Sequence, residues 1–426
     1  MEAEKTPAAA ASETASAAAG QFGFFRRTFQ AFGYRDFRLM WAGAFTSTTG
    51  TWMQSVAQSW LVLEMTGSRS AFFLGLLGFL ADLPIMLFSL IGGVVADRID
   101  RRIILLGSQY VQMTCAFVLT LLVYFKVVHI GHMMVLVFVA GTAMSFGGPA
   151  YQALIPGLVE RKVVPNAVAL NSIQFNLARV IGPLIAGITM AAFGADICFF
   201  LNGLSFLAVI AGLYMIRATF LPQKTTESVL DGIRSGFSFI RERGALWQLS
   251  ALGFVSTFCG IPLLTLLPVV AKNTYHLDAK GYSYMLSISG IGSIIGALIY
   301  AGLAQRRNHG LLALRVQLMF AVLLAIFALS RFLPLVCLCL LFSGMCLITL
   351  FSAINSLVQL TVTEEMRGRV MSIFMLAFRG GMPLGNLVAG YFASKSSPSH
   401  TLFALACVLA ATAIAFLVSN SGIKKL

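Results

Sequence analysis

Apolar stretches alternate with short polar intervals from residue 37 almost to the C-terminus. Each stretch passes the 18 or so residues that mark a candidate membrane-crossing helix. The pattern predicts twelve spans, near 37–63, 71–96, 103–126, 133–155, 166–193, 196–217, 246–272, 282–304, 311–331, 334–360, 369–394 and 400–419. A hydrocarbon core takes about 20 helical residues to cross. Several stretches are longer, which predicts tilt.

The longest polar interval, 218–245, separates the spans into two sets of six. After Pro222, Gln223 and Lys224, Ser228 with Asp231 three residues on has the form of a capping box. Val229, Ile233, Phe237 and Ile240 follow at helical spacing, with Arg234, Arg241 and Arg243 among them. This predicts a short amphipathic helix at the membrane surface. The expected organisation is a tail over 1–32, a six-helix bundle over 33–218, a linker over 219–245, a second six-helix bundle over 246–420 and a tail over 421–426. The fold class is an all-α membrane protein in two pseudo-symmetric six-helix bundles.

Composition removes other readings. Of 426 residues 58% are hydrophobic and only 11% charged. A soluble domain carries roughly 25% charged residues, so this chain cannot cover a surface in water and a soluble enzyme is excluded. No nucleophile–base pair, phosphate loop or metal cluster stands out. The formal charge of +14 is compatible with a nucleic-acid or a membrane partner. The basic residues lie between apolar runs and form no basic–aromatic constellation, which points to the lipid bilayer and away from nucleic acid. With the N-terminus inside, 22 lysines and arginines fall on the inner side and 6 on the outer. That bias predicts both termini in the cytoplasm. The first twenty residues, rich in Ala, Ser and Thr, lack the pattern of a cleavable signal and are expected to be a disordered cytoplasmic tail.

The two halves echo each other. Residues 171–187 read NSIQFNLARVIGPLIAG and residues 372–390 read SIFMLAFRGGMPLGNLVAG. Each places an arginine four residues before a proline, Arg179 with Pro183 and Arg379 with Pro383. The loops ADRIDRRIIL at 96–105 and AQRRNHGLLA at 304–313 also occupy corresponding places. A repeat of six-helix halves points to an alternating-access transporter.

Residues 93–102, GVVADRIDRR, resemble the signature between the second and third helices of the major facilitator superfamily, through Gly93, Asp97, Arg98, Arg101 and Arg102. Asp100 stands where that pattern usually has a second glycine. Gly92 and Gly93 allow close helix approach. Asp97 at a helix C-terminus opposes the dipole and needs a cation or helix N-terminal amides. The resemblance implies a conformational latch at the inner mouth, and the second half, with Gln305 and Arg306 at the matching places, is expected to lack it. YRDFRLMWAG at 34–43, WMQSVAQSWLVLEMTGS at 52–68 and the run 151–183 are similar to the bacterial exporter branch that holds enterobactin and macrolide efflux proteins. This implies a bacterial inner-membrane transporter, fuelled by a proton gradient with no bound cofactor.

Asp82 is the one acid deep in a span. It lies fourteen residues before Ala96, or about 21 Å at 1.5 Å per residue. An intramembrane acid is by default a functional hypothesis. Two readings stand: a proton-coupling acid tuned by Arg179, or a structural charge pair or hydrogen bond near Pro84. Arg379 is a rival partner. Gly182, Pro183 and Gly187 resemble the glycine–proline motif of antiporter members in helix five, which implies antiport; a plain kink is the other reading. The family's basic motif in helix four is absent from 133–155. Gln54, Gln58, Asn171, Gln174, Asn355 and Gln359 are candidates for a central substrate cavity, with interhelical hydrogen bonds as the alternative.

The seven cysteines, all in apolar runs, are expected to be reduced packing residues. The five scattered histidines suggest no metal site. The 35 phenylalanines and 18 methionines favour a greasy, adaptable cavity over a sugar site. The reading is a proton-coupled exporter of amphipathic small molecules such as siderophores or drugs, monomeric, with possible handover to periplasmic or outer-membrane components. An importer or metabolite facilitator is the transport alternative, and a non-transporting scaffold or sensor the alternative from another class.

Overall fold

The computed structural model describes residues 29–216, 237–241, 243–303, 308–363, 366–419 and 422–425; the side chains at 89, 90, 93, 94, 96–98, 367, 368 and 425 fall outside that description. Among the described residues twelve long helices follow one another: α1 (Arg35–Thr66), α2 (Ser70–Arg98), α3 (Arg101–Tyr124), α4 (Ile130–Leu154), α5 (Val164–Phe193), α6 (Ala195–Met215), α7 (Gly244–Asn273), α8 (Ala279–Leu303), α9 (His309–Leu329), α10 (Leu333–Thr361), α11 (Arg367–Lys395) and α12 (Pro398–Val418). Each starts and stops within three residues of its predicted span. The described residues contain no strand.

Local chemistry sets the boundaries. Gly67 turns the chain from α1 into α2 at φ +50°, and Gly194 separates α5 from α6 at φ +98°, backbone that favours glycine. Pro262 lacks an N–H and breaks α7 at Ile261. Asp100, the departure from the signature's second glycine, caps α3, its carboxylate accepting from Arg102 N–H at 2.8 Å.

In the first half, α1 packs on α5 and α6, α2 on α4, and α3 on α4 and α6. In the second, α10 packs on α8 and α9, α12 on α9, and α11 on α7. The main contacts between the halves run through α2 with α11 and α5 with α8.

The two ends of the molecule differ. At the end carrying the basic loops, guanidinium groups close the last turns of helices: Arg101 donates to Ala153 O at 2.9 Å, Arg102 to Tyr214 O at 3.1 Å and Arg35 to Met215 O at 3.2 Å. These carbonyls have no intrahelical partner, and the cations also suit the dipole. Here the first half keeps a core of its own around Phe37, Met40, Leu105, Leu154, Leu170 and Leu213. At the opposite end one continuous core joins the halves, with Val56, Trp60, Leu63 and Leu74 in the same cluster as Leu267, Val270 and Tyr282. The molecule is therefore closed at that end, with separate cores at the basic end.

Three expectations can be followed here. Of the C-terminal tail, residues 422–425 form a short 3-10 helix with Ile423 buried against Gly310 of α9. Of the linker helix, 237–241 are helical, with Ile240 buried and Phe237 exposed, while Ser228, Val229, Asp231, Ile233 and Arg234 lie outside the described residues. The cysteines are all unpaired, but Cys407 is exposed, so it is not a packing residue.

Candidate functional site

Asp82 lies midway along α2, two residues before Pro84. It faces a chamber of about 280 Å³ enclosed by α1, α2, α3 and α4. Helical spacing of four puts Thr51 with Ser55 and Gln54 with Gln58 on adjacent rows of α1, and all four line the chamber. Gln112 enters from α3, and Leu136, Val137 and Met144 make an apolar wall on α4. Thr51, Ser55 and Met144 are exposed, so the chamber opens past them.

The amides are held to different degrees. Gln54 Oε1 accepts from Asn202 Nδ2 at 2.7 Å, and Gln112 Nε2 donates to Ser108 Oγ at 3.0 Å. Gln58 is buried and its Nε2 has no partner. The Asp82 carboxylate takes part in no hydrogen bond or ion pair with the described residues, whose side-chain ion pairs, Arg35–Asp36 and Lys162–Glu160, lie at the basic end. Its charged neighbour is Arg379 of α11, which acts on it from beyond ion-pair distance.

Arg179 takes another position. Its guanidinium stands over the Trp52 ring at 5.6 Å, and Trp52 meets Phe175 edge-on at 6.2 Å. The structure thus brings Asp82 and Arg379 into one electrostatic neighbourhood and seats Arg179 on an aromatic platform. A side chain on Gly182 would run into Trp52, and one on Gly187 into Ser283 of α8. The glycines around Pro183 therefore seat α5 against α1 on one side and the other half on the other.

The remaining cavity candidates divide. Asn171 Oδ1 accepts from Tyr151 at 2.5 Å, and buried Gln174 donates to Ala44 O at 3.1 Å, so both tie helices together. Asn355 has an unpartnered buried Oδ1, and Gln359 is exposed. Of the signature, Gly93, Asp97 and Arg98 have side chains outside the description. Arg101 and Arg102 bond carbonyls of their own half.

Sequence reading missed two features. Thr51 and Gln112 line the chamber, and only their depth in an apolar run hinted at it. At the closed end, Trp60 of α1 stacks on Tyr282 of α8 (6.1 Å between centroids), carries Lys272 Nζ of α7 at 5.7 Å over its ring, and donates its indole N–H to Glu64 at 2.7 Å. Below it, Gly75 of α2 lies against Gly390 and the Asn386 carbonyl of α11.

A family model described as transmembrane secretion effector, within the major facilitator group, matches residues 27–423. The chain is 25% identical over 365 residues to the Staphyloferrin A transporter of Staphylococcus aureus, covering 82% of this chain and 88% of that one. It is 26% identical over 372 residues to the multidrug efflux pump Tap of Mycolicibacterium fortuitum, covering 85% and 90%. Among solved structures, a point mutant of the nucleoside transporter NupG superposes with a TM-score of 0.73 at 12% identity, covering 90% of this chain and 99% of that one, which speaks to the fold.

Proposed function

Because the chain belongs to the transmembrane secretion effector family of major facilitator transporters, we propose that it is a proton-coupled exporter of amphipathic small molecules. It is a multi-pass membrane protein acting on small-molecule substrates, and not an enzyme. The observation that carries the coupling reading is Asp82: an unbonded carboxylate at mid-span, facing a chamber between four helices.

The basic end faces the cytoplasm of a bacterial inner membrane, an orientation that the lysine and arginine bias supports. The conformation with separate cores there is then open inward and closed outward. Substrate enters past Thr51, Ser55 and Met144 while Asp82 is ionised. The halves rock about α2–α11 and α5–α8, the inward mouth shuts, and the contacts around Trp60 part. A proton from the outer side then neutralises Asp82 and substrate leaves. The protonated carrier returns and loses the proton to the cytoplasm. The proton gradient supplies the energy and no bound cofactor takes part. The relatives' names, a Staphyloferrin A transporter and a multidrug efflux pump, support transport of small solutes, and the second supports export. The protein acts as a monomer and hands substrate to periplasmic or outer-membrane components.

Everted membrane vesicles test this. An acid interior should drive ethidium accumulation, and Asp82→Asn should abolish it while the protein is still made and still melts cooperatively. Undiminished gradient-driven accumulation in Asp82→Asn would remove the coupling role.

A further inference from the structure

We propose that the chamber around Asp82 receives the ammonium group of the substrate, so that the exported class is cationic amphipathic amines and not carboxylate or catecholate anions. This rests on the export reading above and specifies the substrate of the same site.

The first support is the unmet charge. Ionised Asp82 faces apolar Ile85, Leu136, Val137 and Met144, with no cation within 4 Å among the described residues. A carboxylate so placed is costly unless it is paired. The charged or titratable groups that face it are few. From α1 come the neutral Gln54 and Gln58, from α3 Gln112 and the Cys115 thiol, from α4 none, and from α11 Arg379, which acts on the carboxyl without pairing with it. The position beside the carboxylate is therefore open to a ligand cation.

The second support is size and polarity. About 280 Å³ lies at the lower edge of ordinary ligand pockets, which run from roughly 300 to 1,000 Å³. It holds an alkylammonium or amino-sugar head, while the apolar body stays in the cleft beyond Thr51, Ser55 and Met144. Ammonium N–H groups need acceptors, and Asp82 with the side-chain oxygens of Gln54, Gln58 and Thr51 offers them. Buried Gln58 has its amide nitrogen unpaired, so its amide can meet a hydroxyl or ether oxygen next to the amine.

The third support is the sign of the linkage. Exchange needs proton and substrate to exclude each other. A cation and a proton do so at one carboxylate, because each neutralises it. An anion would bind best once Asp82 is protonated, so proton and anion would cross together. An inward proton gradient would then drive that anion into the cell. Export powered through Asp82 thus selects a cation.

The test uses two dansyl probes of similar size, dansylcadaverine with an ammonium end and dansylglycine with a carboxylate end, on the purified full-length protein. Wild type should bind dansylcadaverine, and acid should weaken that binding up to tenfold per pH unit once Asp82 titrates. Asp82→Glu should keep the pH dependence. Asp82→Asn should bind at least tenfold more weakly at neutral pH and lose it. Asp82-dependent binding of dansylglycine that strengthens with acid, or equal dansylcadaverine affinity in wild type and Asp82→Asn, overturns the proposal. Everted vesicles separate the two readings. If an acid interior drives dansylglycine accumulation alike in wild type and Asp82→Asn, and dansylcadaverine accumulates no more than in vesicles lacking the protein, the substrate class falls and proton-coupled export stands. If neither probe accumulates beyond the level in vesicles lacking the protein, both fall.

Discussion

Lys272 Nζ stands 5.7 Å from the centroid of the Trp60 ring, joining helices of opposite halves over the closed end of the molecule. Tyr282 stacks on the same indole, and Glu64 accepts its N–H, so Trp60 is held by both halves at once. To open this end, the indole must leave Lys272 and Tyr282. A cation–π contact contributes about 0.5–2 kcal/mol, and aromatic stacking adds about 0.5–1.5 kcal/mol.

Trp60→Ala is therefore expected to favour the state open at this end, by about 1–3 kcal/mol. Spin labels at Arg69, just before α2, and Lys395, at the end of α11 in the other half, should show a larger long-distance population than in wild type. Lys272→Met should move it the same way by less. An unchanged distance distribution would show that the aromatic contact does not hold the closure.

Gly75 is a close approach between α2 and α11, and Gly75→Val should drive its new side chain into the Asn386 carbonyl and Gly390. Overpacking of this kind costs about 1–3 kcal/mol. The melting temperature in detergent should fall and the closed end should loosen. Gly107→Ala, where nothing lies within 4 Å, is the comparison and should melt at or above the wild-type temperature.

Arg101→Ala should leave the Ala153 carbonyl at the end of α4 without its donor. Loss of about 1–2 kcal/mol is expected, since bonds to charged donors are stronger than neutral ones. Thermal melting reads the loss, and Arg101→Lys should restore part of it. A signature arginine acting only as a latch to the other half would leave the melting point of this state unchanged.

Gln58→Leu removes a buried amide whose nitrogen lacks a partner. An unsatisfied buried group costs about 1–3 kcal/mol, so this variant should be as stable as wild type or more so. Probe binding in the chamber should weaken at the same time. Lower stability with unchanged binding would make Gln58 a packing residue.

How much of this was legible in the sequence follows from the range of each interaction. Span positions depend on local hydropathy, and all twelve helices fall where the apolar runs predicted. Asp82 was legible because one acid in a long apolar run has few harmless places to be. Its surroundings were not, because Gln54, Gln112 and Met144 reach it from separate helices and no spacing rule links them. Arg179 illustrates the same limit. Depth along a helix suggested a partner for Asp82, but the side chain's direction was set by Trp52, a contact between α1 and α5. Trp60, Lys272 and Tyr282 were silent for that reason too, since an aromatic near a helix end reads as an interface anchor until the opposite half is in place.

The most direct measurement is proton movement itself. Purified protein is reconstituted into liposomes with an imposed pH gradient, an internal pH dye is followed, and ethidium, whose fixed charge cannot carry a proton through the lipid by itself, is added. Wild type should dissipate the gradient on addition of the probe, Asp82→Glu should do so more slowly, and Asp82→Asn should leave the gradient intact. Probe-dependent dissipation by Asp82→Asn at the wild-type rate would contradict a coupling role for this carboxylate.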